Sequence, residues 1–148
     1  MPRHPHPYLR AYMAGILVPT VFLLVLLTVY TLFGFRLYLE VPSQFVLAMP
    51  ARPLARALVF PMAIVPNLWG AWNMLYLKTR SRVRFPLGAW GAVLPVMLFP
   101  GGIMLGRLLD IFTIQWKLAI PIIPIGMAAY YLAWKYIVGF LNEEMGIA

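Results

Sequence analysis

The sequence predicts an all-α, polytopic membrane protein, a bundle of four transmembrane helices kinked by proline and glycine. Three observations predict it. The 148-residue chain is 63% hydrophobic and only 11% charged, where a soluble domain carries about 25% charged residues. Its mean hydropathy is +0.83, so polar surface cannot cover the core and lipid must act as the solvent. Its apolar residues also fall into four runs, each near the roughly 20 residues that a spanning helix needs. The length suits one integral membrane domain over residues 1–148.

The first run covers residues 11–35, about 37 Å of helix at about 1.5 Å per residue. Arg3 and Arg10 precede it, as in a signal peptide. The run is too long for an h-region and no A-x-A site follows, so a retained helix is expected. The second run covers 57–77, the third 85–106 and the fourth 118–141, interrupted only by Asn67, Asn73 and Lys135. The first loop, 36–56, contains Pro42, Pro50 and Pro53 around an apolar set of Phe45, Val46 and Met49. An interfacial or re-entrant element fits it, and so does an ordinary extended connection. No internal repeat is evident.

The net charge is +8. The cations lie at the ends of apolar runs, which points to anionic lipid headgroups as their partner and not to nucleic acid. The short loop after the second run carries Lys78, Arg80, Arg82 and Arg84 without an acid. It reads as the topology anchor and should be cytoplasmic. An even number of spans then puts both termini on the cytoplasmic side too, of an inner or plasma membrane, and Arg3 and Arg10 agree. Arg36, Arg52 and Arg56 oppose this mildly, so the orientation rests on the dense short loop.

The chain has fourteen prolines and eleven glycines. Pro19, Pro61, Pro66, Pro95, Pro100, Pro121 and Pro124 fall inside the runs, where each removes a backbone hydrogen bond and should kink its helix. At Pro100, Gly101 and Gly102 the third helix has two readings. One is an outright break, the device by which transporters expose carbonyls to ions. The other, preferred here, is a plain kink with close packing through Gly102 and Gly106. Gly88 and Ala92 form a similar pair, and Gly126, Ala129 and Ala133 make a small-residue stripe on the fourth run. These faces suit a tight bundle or an oligomer contact.

Asn67 and Asn73 are the amides within the apolar runs. Six residues correspond to about 600° of helix, so the two should point to different sides. Asn73 shares a face with Trp69 and Tyr76. These residues line a polar pathway or hydrogen-bond between helices, worth about 0.6 kcal/mol on average in a bilayer. Asn67 has a further role open to it, as partner for backbone freed by Pro66. Asp110 is expected to pair with Arg107 at the interface. Lys135, among Tyr130, Tyr131, Trp134 and Tyr136, should snorkel through an aromatic belt. His4 and His6 flank Pro5 in the N-terminal tail, a weak metal pattern better read as tail.

There is no cysteine, which excludes thiol catalysis, zinc–thiolate sites and haem attachment through Cys. The runs hold no His, no central Asp or Glu, and no HExxH or GxSxG. No enzyme, cofactor or metal site is therefore expected. A proton-coupled carrier would need a buried carboxylate that is missing. The preferred reading is a non-catalytic small subunit or packing module, associating with itself or with other membrane subunits. The alternative is an oligomeric channel or carrier for anions or neutral solutes, lined by Asn67, Asn73 and the Pro100 region.

Overall fold

The computed structural model describes residues 6–40, 51–108 and 116–147. Among these the chain is all-helical and holds no strand. Helix α1 runs Pro7–Glu40, α2 Ala51–Thr79, α3 Leu87–Leu108 and α4 Trp116–Leu132. A π-helical segment, Ala133–Val138, continues α4 into the short α5, Gly139–Glu144. Three stretches are long and apolar enough to cross a membrane: Pro7–Val29, Leu87–Leu108 and Ile120–Glu144. That is the property of a multi-pass membrane protein.

The helices overrun the apolar runs that announce them. α1 continues to Glu40 and α2 already begins at Ala51. Both ends of the first loop are therefore helical, and only residues 41–50 of it lie outside the described residues. Hydropathy misplaces these ends because polar residues can prolong a helix beyond the membrane. Pro53 falls in the first turn of α2, where the N–H groups have no intrahelical acceptor to lose.

Of the two readings of the third helix, the continuous one is observed and the outright break is not. α3 passes through Pro95 and Pro100 without interruption, as α2 passes through Pro61 and Pro66. A proline removes a single bond from the ladder. The bonds on either side suffice to keep the axis going, even with Gly101 and Gly102 next in line.

α1 packs mainly on α2, and α3 on α4 with its π-helical extension. Glycines set the closest approaches. A Cβ added to Gly15 would lie 2.6 Å from the Trp69 carbonyl oxygen and 2.8 Å from the Gly70 Cα, so α1 and α2 cross backbone to backbone. One at Gly91 would fall inside the Trp134 side chain, and one at Gly126 would lie 2.6 Å from the Phe99 ring. The core is built on Trp69, Leu94, Trp134 and Val138, with Val65, Trp72, Trp90 and Tyr130 packed around them.

The chain closes on itself at one end. Gly146 has φ 66, in the left-handed region that glycine adopts without strain. Gly146 N donates to the Glu143 carbonyl and Ile147 N to the Asn142 carbonyl, both at 2.9 Å. This is the Schellman turn by which a glycine ends a helix. It swings Ile147 back into a second core beside Ala11 and Ala14. Arg10 Nη1 donates to the Met145 carbonyl at 2.8 Å, and Arg80 Nη1 to the Ile147 carbonyl at 2.7 Å. The start of α1, the α2–α3 loop and the turn after α5 thus share one end of the bundle.

Candidate functional site

The polar residues of the bundle gather toward that closed end. Asn73 is 1% exposed. Its Nδ2 donates to the Ala11 carbonyl and to Asn142 Oδ1, both at 2.8 Å. Asn142 Nδ2 returns a bond to Asn73 Oδ1 at 3.2 Å. The two amides therefore face each other as reciprocal donor and acceptor, and Asn73 also reaches a main-chain carbonyl of α1. Three elements, α1, α2 and α5, are tied by two side chains. An amide offers two N–H donors and one carbonyl, and Asn73 uses all three groups.

Aromatic residues continue the cluster. Trp69 meets Tyr130 at 4.8 Å and Trp134 at 5.4 Å between ring centroids. Trp72 stacks on Trp90 at 5.1 Å, and Tyr76 meets Trp90 at 6.1 Å. The stacked indoles also exchange hydrogen bonds. Trp72 Nε1 donates to the Trp90 carbonyl at 3.0 Å, and Trp90 Nε1 to the Trp72 carbonyl at 3.2 Å. This pair fastens α2 to α3 near their shared loop. Trp134 is fully buried, and its indole N–H has no acceptor among the described residues. Its contribution is volume.

Asn67 stands apart from this cluster. It is exposed, its Nδ2 donates to the Ala63 carbonyl at 2.8 Å, and its Oδ1 accepts from the Tyr12 hydroxyl. The carbonyl that Pro66 leaves without its usual donor is that of Met62, so Asn67 serves the neighbouring one. The two amides do not share a site. Trp69, Asn73 and Tyr76 do share the inward face of α2.

The small residues divide. Gly106 is buried, whereas Ala129 is exposed and Ala133 half-buried against the core. Gly102 does not pack as the sequence pattern suggests: a Cβ there, or at Gly101, would meet nothing within 4 Å. The reason is local. On this stretch α3 turns its small face to an open groove and its bulk, through Phe99, toward Gly126 of α4. Lys78, Arg80, Arg82 and Arg84 are all exposed. Lys135 is exposed too, with Nζ 5.0 Å from the Tyr136 ring centroid and 5.8 Å from that of Tyr131. Asp110 and His4 lie outside the described residues. Among the described residues no three His, Cys, Asp or Glu side chains come together as metal ligands.

The open groove is the other feature of note. It has a volume of about 500 Å³ between α2 and α3, with Tyr130 of α4 at its base. Its walls are apolar, formed by residues from Pro61 to Trp72 on α2 and from Leu94 to Ile103 and Leu105 on α3. Gly101 and Gly102 form part of the wall. Sequence reasoning missed Asn142, which directly follows the last residue assigned to the fourth run. It also missed Gly15, Gly70 and Gly91 as contact points and Trp90 as the partner of Trp72. An amide at the edge of an apolar run was the available signal for Asn142. The glycines carried none, because spacing does not say which helix faces them.

Comparison with protein-family models, with curated proteins and with solved structures returns no match to this chain.

Proposed function

We propose that this chain is a four-span, non-catalytic membrane module, a structural or accessory subunit that packs in a larger membrane assembly or with copies of itself. The use of Asn73 carries the reading. The most buried amide of the bundle is spent on Ala11 and Asn142, so it is a fastener and not part of a solute path. What remains outward is apolar side chain, with large residues such as Phe22, Met104 and Ile125 exposed. Such surface is suited to lipid and to other helices.

The connectivity supports a fourth span, α2: α1 and α3 both start at the closed end, and α2 is the segment that would carry the chain back between them. Its 29 residues suffice. Its lower hydropathy comes from Asn67 and Asn73, its two tryptophans, and the cations Arg52, Arg56 and Lys78 near its ends. The loop of Lys78, Arg80, Arg82 and Arg84 favours a cytoplasmic closed end. The alternative, a conduit along Asn67 and Asn73, draws less support, since the two amides diverge and one is sealed.

The test is the native mass of the protein extracted from its own host in a mild detergent. Co-migration with other polypeptides, or a defined oligomer, is expected. A lone monomer would overturn the reading, as would solute flux in liposomes that Asn73→Leu abolishes without loss of folding.

A further inference from the structure

The groove between α2 and α3 has a definite length and a closed end. On α3 it extends from Leu94 to Leu105, about 17 Å at about 1.5 Å per residue. That is close to half of the roughly 30 Å hydrocarbon thickness of a bilayer. Toward the basic loop it ends at Trp72, which stacks on Trp90 and exchanges hydrogen bonds with it. The groove is therefore a slot about one leaflet deep, bounded toward the basic loop by Trp72 and open sideways, where its lining residues Leu68, Met97 and Leu105 are exposed.

We propose that this slot holds one acyl chain of a bilayer phospholipid from the leaflet opposite the basic loop. Its shape favours a hydrocarbon chain over a partner helix. A helix is about 10–12 Å across with its side chains, and a spanning helix has to continue through both leaflets. The slot stops at Trp72 after about one leaflet, which matches the reach of an acyl chain and is about half that of a spanning helix. The volume of about 500 Å³ lies within the range of about 300–1,000 Å³ of small-molecule sites. The walls offer dispersion contact almost throughout, and Gly101 and Gly102 leave room where any side chain would intrude. The proposal rests on the four-span reading for the slot's depth in the bilayer, and is independent of the accessory role.

The experiment is native mass spectrometry of the full chain purified in mild detergent, with extraction and identification of the retained lipid. One diacyl phospholipid per chain is expected. Gly102→Phe fills the slot from a position where a Cβ meets nothing, so retention should fall by at least about tenfold while the helical circular dichroism stays. Met13→Phe, on an exposed position of α1, should leave retention unchanged. A second measurement needs no variant: a phospholipid with a photoactivatable acyl chain should label the segments around Leu68 and Leu98 well above the lipid-exposed face of α1. Equal retention in Gly102→Phe and wild type, or labelling spread evenly over all helices, overturns the proposal. So does a retained isoprenoid, or a polypeptide crosslinked in the slot. Apart from a crosslinked polypeptide, which would support the accessory reading while overturning this one, none of these results bears on whether the chain is an accessory subunit, which the native mass decides separately.

Discussion

The closed end of this bundle and the slot between α2 and α3 are built on opposite principles. At the closed end, side-chain hydrogen bonds and stacked rings join one element to another: Asn73 to Asn142, Trp72 to Trp90, Arg10 and Arg80 to the turn after α5. At the slot α2 and α3 leave an apolar space between them. The same residue type marks both. Gly15 and Gly91 are glycine because a neighbour occupies the place of a Cβ, whereas Gly101 and Gly102 face open space. Between apolar helices lipid supplies little hydrophobic drive, so close packing and polar contacts must hold them. Among the described residues the polar contacts gather toward one end, while close packing extends further, to Gly126 and Phe99.

Variants can break that contrast. The largest effect is expected at Gly15→Leu. Its Cβ would press on the Trp69 carbonyl and the Gly70 backbone, which cannot move aside as a side chain can. Overpacking costs about 1–3 kcal/mol and sometimes more, so the thermal midpoint in detergent should drop sharply or the folded chain should not accumulate. A wild-type midpoint would show that α1 and α2 do not cross there.

Asn73→Leu comes next. It removes two donated bonds and leaves the Asn142 amide without its partner. Bilayer measurements of such pairs suggest about 0.6–1.7 kcal/mol. Asn73→Leu together with Asn142→Leu should cost less than the sum of the two singles, and a double-mutant cycle in bicelles measures that coupling. Strict additivity would mean that the amides do not meet. Trp90→Phe keeps a ring and removes one indole donor, a loss of about 0.5–1.5 kcal/mol, readable as a lower midpoint. The smallest effect belongs to Arg80→Ala at the exposed rim. It should leave the midpoint nearly unchanged while making the turn at Met145–Ile147 more susceptible to limited proteolysis.

How far the sequence was legible follows the same division. Composition and run length expose the helical membrane class directly, because lipid imposes one rule on the whole chain. The basic loop is equally plain. Contacts between helices are not, since they depend on rotation of each helix within the bundle. Asn73 announced itself as an amide in an apolar run, yet nothing local to it names Asn142, 69 positions away. Gly102 and Gly106 show the limit most clearly. Their spacing fits a packing motif, but Gly102 faces the slot and Gly106 is buried. Pro100 followed by two glycines left a break open as the less favoured reading, and the bonds on either side carry the helix through.

The most direct measurement is the paired thermal stability of Gly91→Leu and Gly102→Leu in the same detergent. The two glycines lie on one helix, and the substitution is the same. At Gly91 the new side chain must displace Trp134 from the core, so the midpoint should fall steeply. At Gly102 it enters open space, so the change should stay within about 0.5 kcal/mol, helped by the better helix propensity of leucine. Equal losses at both positions, or a larger loss at Gly102, would contradict a bundle locked at its closed end and open at the slot.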